Sequence, residues 1–120
     1  MRYAFFVGLF ILLASCQNPR KPLLPGGMSA DSIIPRDRMV QVLADVHVLE
    51  SVLQFERNRK GTLAVPASVR YQQLFSGLGI SRKRFSQNLA YYQSDPEEFA
   101  KMYSEVVAEL EKRKSRRKLQ

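Results

Sequence analysis

Apolar residues recur at helical spacing in four separate blocks, with Gly or Pro between successive blocks, and nothing else in the chain constrains its fold so tightly. In the first block, from about Arg36 to Arg59, Met39, Val42, Leu43, Val46, Leu49 and Leu53 fall on one stripe at a period of about 3.6 residues. Val40, Ala44, Val48, Val52 and Phe55 fall on other faces, so this helix is apolar nearly all round. That pattern suits a central helix packed on several sides, or one that keeps a strip for a partner. Pro35 fits its first turn and Gly61 its end. The second block, about Ala67 to Leu78, presents Tyr71, Leu74, Phe75 and Leu78 and breaks at Gly77 and Gly79. Ser81 then caps a third helix reaching about Gln93, with Phe85, Leu89 and Tyr92 at i, i+4 and i+7. Asp95-Pro96-Glu97-Glu98 opens a fourth with a capping carboxylate, Pro at N1 and acids facing the positive end of the helix dipole. Phe99, Met102, Tyr103, Val106 and Leu110 form its stripe, with Glu97–Lys101 and Glu109–Arg113 as i,i+4 pairs. No convincing segment alternates, so the expected fold is all-α: a small bundle of about four helices over residues 35–111.

Ahead of the bundle, Arg2 precedes an apolar run, Tyr3 to Ala14, that stops at Cys16-Gln17-Asn18-Pro19-Arg20-Lys21. The run is too short for a spanning helix, which needs about 20 apolar residues. A basic start, an apolar middle and small residues Ala14 and Ser15 make a signal peptide over residues 1–15. Leu13-Ala14-Ser15-Cys16 resembles the lipobox of bacterial lipoproteins, which implies lipidation of Cys16 and removal of everything before it. A diacylglycerol and an N-acyl group together would hold far more firmly than one acyl chain. Gln17, where an Asp in such lipoproteins favours inner-membrane retention, points to the outer membrane, on its periplasmic face. Residues 16–34 carry Pro19, Pro22, Pro25, Gly26 and Gly27 and read as a lipid-anchored linker. With no second cysteine, an internal disulfide is excluded and packing alone must supply stability.

The formal charge of +8 is concentrated at the C-terminal end. Lys112, Arg113, Lys114, Arg116, Arg117 and Lys118 form a basic tail over 112–120, and the stretch between Cys16 and Glu111 is close to neutral. Past Leu110 the apolar period ends, so this tail is expected to be a solvated, fraying helix. Contact with anionic lipid head groups is its candidate role, at about 1 kcal/mol per basic residue near such a surface. Nucleic-acid binding is a weaker reading for an exported protein.

Leu74 to Leu89 resembles a DNA-binding helix-turn-helix, with Gly79 as the turn and Ser81-Arg82-Lys83-Arg84 opening the second helix. Two positions depart from that motif. Bulky Phe75 stands where the first helix wants a small residue, and Asn88 stands where the second wants an apolar one. A chain exported through Cys16 also meets no chromosome, so no nucleic-acid partner is expected.

His47 is the single histidine, and no second His or Cys is placed to complete a metal site. No metal or cofactor is expected, and His47 reads as a surface residue with Glu50 one turn on. By helical angle Glu50 falls inside the apolar stripe, among Leu43, Val46 and Leu53, where a carboxylate must find a partner or shift its pKa. His47, Arg57, or a tyrosine from Tyr91, Tyr92 or Tyr103 could serve. A pocket around Glu50, Tyr91, Tyr92 and Tyr103 is the candidate site for a small ligand or lipid.

Taken together, Leu43-Ala44-Asp45-Val46-His47-Val48-Leu49-Glu50, Gly79-Ile80-Ser81 and Phe85-Ser86-Gln87-Asn88-Leu89-Ala90-Tyr91-Tyr92, behind a lipobox, resemble a family of short helical lipoproteins of Bacteroidota. The resemblance spans about residues 33–110. It implies a helical lipoprotein carrying a domain of unknown function, and it brings no catalytic residues. The expected function is a non-enzymatic, membrane-anchored helical module that binds another envelope protein. A small-ligand or lipid-binding envelope protein is the alternative, and a DNA-binding protein a weaker third.

Overall fold

The computed structural model describes residues 24–120. A short 3₁₀ turn, Ala30–Ser32, precedes four α-helices: α1 (Arg36–Lys60), α2 (Ala67–Leu78), α3 (Arg82–Gln93) and α4 (Pro96–Lys118). No strand occurs among the described residues, and the fold is all-α. Cys16 and the run before it lie outside the described residues.

The helix ends follow from local chemistry. Gly61, at φ +74°, closes α1 by donating its N–H to the Arg57 carbonyl at 2.8 Å. Gly79, at φ +67°, closes α2; its N–H reaches Ser76 O at 3.1 Å while the Ile80 N–H reaches Phe75 O at 3.1 Å. Those paired bonds form a Schellman cap, which needs a left-handed residue at the glycine position. Ser81 Oγ accepts from the Arg84 N–H at 3.0 Å and Asp95 Oδ1 from the Glu98 N–H at 3.1 Å, each satisfying an otherwise unpaired donor.

The N-terminal half of α1 is the centre of the molecule. Met39, Val40, Val42, Leu43, Ala44 and Val46 are all buried, against Ile34, Phe75, Ile80, Met102 and Val106. Val40 and Ala44 lie off the main stripe, and their burial shows that this half is packed on more than one side. Beyond Val46 the enclosure opens: Leu53 stays buried, but Val52 is 40% and Phe55 62% exposed. The central helix and the uncovered strip thus occupy two halves of one element.

α4 packs on α1 at an angle. Arg36 reaches Glu105, Asp45 reaches Arg113, and His47 reaches back to Tyr103. Two helices side by side in a single register could not satisfy all three, so the axes cross. The crossing buries Met102 and Val106.

The packed body begins before Pro35, earlier than the Pro- and Gly-rich composition indicates. Gly27, at φ +78°, turns the chain so that the Met28 N–H bonds Pro25 O at 3.0 Å. From there the chain lies against the bundle, with Met28 8% and Ile34 0% exposed. Asn88, fully buried on α3, holds this strap. Its Oδ1 accepts from the Ile34 N–H at 2.7 Å, and its Nδ2 donates to Ser32 O at 3.0 Å and to Arg84 O at 2.8 Å. The Tyr92 hydroxyl donates to Ile34 O at 2.5 Å, and Arg84 Nε to Ser32 O at 3.1 Å. Both polar groups of the Ile34 peptide unit are thereby satisfied in an apolar setting. Removing the amide would strand the Ile34 N–H and leave Ser32 O to Arg84 alone, and an unsatisfied buried group costs about 1–3 kcal/mol. Asn88→Ala is expected to lower the free energy of urea unfolding by about 2–4 kcal/mol. A change below about 0.5 kcal/mol would show that the strap does not depend on this side chain.

Candidate functional site

The residues singled out from sequence do not converge on one pocket. Glu50 is not buried in the core: its side chain is 51% exposed. It accepts a hydrogen bond from the Tyr71 hydroxyl at 3.1 Å and lies 3.8 Å from His47 Nδ1. Burial, then the bond to Glu50, holds the Tyr71 phenol above its usual range. His47 is half-buried rather than superficial. Its Nε2 is hydrogen-bonded to the Tyr103 hydroxyl, and the two rings meet edge to face at 5.4 Å. Burial, then the nearby Glu50 charge, raises the Tyr103 phenol.

Tyr91 and Tyr92 stand apart from these. Tyr92 is committed to the strap through Ile34, burial raises its phenol, and Tyr91 packs on it at 5.1 Å. The four-residue pocket about Glu50, Tyr91, Tyr92 and Tyr103 is therefore divided between two places. One is the polar His47–Glu50–Tyr103–Tyr71 cluster; the other is the anchor of the strap.

The basic tail also divides. α4 runs unbroken to Lys118 instead of fraying past Leu110. Arg113, offered from sequence as a surface cation, is turned inward. Its NH1 bonds Asp45 at 2.7 Å, its Nε bonds Glu109 at 2.8 Å and its NH2 bonds Gln41 at 2.7 Å. Arg116 lies 3.6 Å from Glu109, and Lys112 stands on the same side, beside Glu105 and Glu109. Lys114, Arg117 and Lys118 face another way and have no acidic partner among the described residues.

Those three cations rim an open groove of about 630 Å³ between the C-terminal halves of α1 and α4. Val48, Val52 and Phe55 from α1 and Leu110 from α4 form an apolar floor, with His47 and Ser51 as its polar points. Val107, 53% exposed, lies one turn before Leu110 on α4. Sequence reading named Val48, Val52 and Phe55 as lying off the main stripe but could not say which would be covered. Leu110, the last residue of the stripe expected on α4, packs partly against the core and also lines the groove. The missing signal is tertiary: α4 must cross α1 before its rim cations flank those positions.

The region resembling a helix-turn-helix is built differently from that motif. Phe75 is buried and its ring centroid stands 4.9 Å from that of Phe85, an aromatic contact that joins α2 to α3. Asn88, the second departure, holds the strap, and Arg84 is engaged there too. Among the described residues no group of three or more His, Cys, Asp or Glu could hold a metal ion. No helix among them is long and apolar enough to cross a membrane.

A family model described as Domain of unknown function (DUF4296) matches residues 31–116. The chain belongs to that family. The DUF4296 span begins within the 3₁₀ turn, so it takes in the Ser32–Ile34 strap with all of α1, α2 and α3. It ends just before Arg117, leaving two of the three rim cations outside it. No curated protein and no solved structure matches the chain.

The Arg113 network ties the C-terminal half of α4 to α1 and makes the bundle sensitive to acid. The Arg113 hydrogen bond, more than any other neighbour, holds Glu109 below its ordinary value of 4.5. A carboxylate depressed in the folded state contributes stability above its unfolded pKa, and that contribution is lost as pH falls through the folded one. Stability should therefore decline below about pH 4.5, and Glu109→Gln should flatten part of that decline in urea titrations at successive pH values. Arg113→Ala should cost roughly 1–3 kcal/mol at neutral pH, since it removes charge-assisted bonds to three residues. A wild-type stability would show that the network is superficial.

Proposed function

We propose that this DUF4296 protein is a lipid-anchored, non-enzymatic interaction module of the bacterial cell envelope. In this reading Cys16 holds it to the outer membrane on the periplasmic side, and the α1–α4 groove receives another envelope protein. The observation that carries the reading is the change along α1 from a fully enclosed core helix to one that exposes Val52 and Phe55 beside unpaired cations. An apolar strip continuous with the core and rimmed by charge is how a protein-binding surface is built.

The anchor rests on the lipobox-like Leu13-Ala14-Ser15-Cys16 and on the resemblance to lipoproteins of Bacteroidota. Because the packed body begins at Met28, the connection from Cys16 shortens to residues 17–27. Its reach is then roughly 36 Å at about 3.3 Å per residue. Such a tether keeps the groove near the bilayer without pressing it onto the head groups. A single anionic lipid is the second reading, favoured by the same apolar floor and basic rim. It places the ligand in the groove, away from Tyr91 and Tyr92.

Two experiments in cells test the proposal. Metabolic labelling with an alkyne fatty acid should tag the wild-type protein in the membrane fraction, and Cys16→Ala should abolish both the label and the fractionation. An unlabelled, uncleaved and soluble wild type would contradict the anchor and reopen the DNA-binding reading. In-cell crosslinking followed by purification from membranes should recover one envelope protein near stoichiometry. Recovery of the protein alone would favour the lipid.

A further inference from the structure

We infer that the groove between α1 and α4 receives an acidic amphipathic helix of a partner protein, two to three turns long. The inference rests on the reading of the chain as a protein-binding module and adds the chemistry of what it binds.

Shape comes first. Val48, Val52 and Phe55 stand at i, i+4 and i+7 along α1, and Leu110, Lys114 and Arg117 at i, i+4 and i+7 along α4. Two such rows border a trough into which a third helix can lay one apolar ridge. The α1 row spans about 10 Å and the α4 row, from Leu110 to Lys118, about 12 Å at 1.5 Å per residue. A helix of roughly eight to nine residues matches that length. Its apolar side chains would recur at i, i+3 or i+4, and i+7.

Charge narrows the partner further. Lys114, Arg117 and Lys118 all lie on the α4 side of the groove, and none is neutralised within the described chain. The other cations of that helix end differ: Arg113 and Arg116 are turned to Glu109. A cationic rim on one bank favours a helix with Asp or Glu along one edge of its apolar stripe, and it disfavours a basic one. Two acidic residues stand close by, Glu50 beyond His47 and Glu111 on the flank of α4, and they mark where the cationic surface stops.

The competing occupants fit less well. The trough is open along its length, so an acyl chain in it would keep one side in water, whereas ligand sites enclose most of what they bind. A flat bilayer would meet the banks before the floor. A helix covers the floor and places its acids against the rim.

Photo-crosslinking in cells tests the inference. A benzophenone amino acid replaces Phe55 or Val52 in the full-length protein, with Ser86 on the exposed side of α3 as the control position. Adducts from both groove positions, absent from the control, should map to one segment with acidic residues flanking an apolar i, i+4, i+7 stripe. A synthetic peptide of that segment should bind the purified mature protein. Lys114→Glu, Arg117→Glu and Lys118→Glu combined should weaken it about tenfold or more, and Phe55→Ser should abolish it. All four side chains are exposed, so circular dichroism and the melting temperature should stay unchanged. Lys in place of the peptide's acids should restore binding to the triple variant.

Each other result overturns the inference in its own way. Adducts to a protein segment that is neutral, basic or non-helical refute the acidic helix and leave the module reading intact. Adducts to a second copy of this chain replace the partner with self-association. Adducts to lipid alone refute both and support the lipid reading. No adduct from either groove position, with the control equally silent, refutes a filled groove.

Discussion

A buried amide on α3 holds the parts of this bundle in register. Asn88 has no exposed surface and meets the chain ahead of α1 from one side and its own helix from the other. Its neighbours Arg84 and Tyr92 bond the same short strap. Without that clamp the Ile34 peptide unit would be a pair of unsatisfied groups in an apolar core. With it, Ile34 enters the core fully buried and Pro35 launches α1 from a set position. α1 then meets Phe75 and Ile80 on one side and Met102 and Val106 on another. Hydrophobic burial supplies the driving force, but a polar knot decides how the pieces are aligned.

The consequences run down α1. Its first half is enclosed because the strap, α2 and α4 all converge there. Along its second half α2 still covers one side, through Tyr71 on Glu50 and Arg70 on Glu56, while the side that carries Val52 and Phe55 has only the flank of α4 beside it. Arg113, tied to Asp45, Glu109 and Gln41, fixes that flank at the crossing and keeps α4 helical beyond its last apolar residue. The helix therefore delivers Lys114, Arg117 and Lys118 to the edge of an apolar floor. A core-forming pattern carried further than the core extends, and a basic run ordered by one of its own members, together make the groove.

Much of the fold is legible in the chain itself. Gly61, Gly79, Ser81 and Asp95-Pro96 mark helix ends by backbone and capping chemistry that acts within a few residues. What depends on distant partners was less legible. Glu50 sits within the apolar stripe by angle, yet only the Tyr71 hydroxyl of α2 reaches it, and its side chain stays half exposed. Asn88 looks like a flaw in a helix-turn-helix until Ser32 and Ile34 arrive from more than 50 residues away. Arg113 looks like one cation among six, since its partners Gln41 and Asp45 are about 70 residues distant. Pro25, Gly26 and Gly27 read as linker and conceal that Met28 and Ile34, just beyond them, are core.

The account turns on the groove being covered in the cell, and chemical footprinting of intact envelopes measures that directly. Amine-reactive and hydroxyl-radical labelling of the protein in cells would be compared, residue by residue, with labelling of the purified protein. The account predicts protection of Lys114, Lys118 and Phe55 in the envelope and unchanged labelling of Lys83 on α3 and Lys101 near the start of α4. Equal labelling of the groove and those controls in both samples would contradict it.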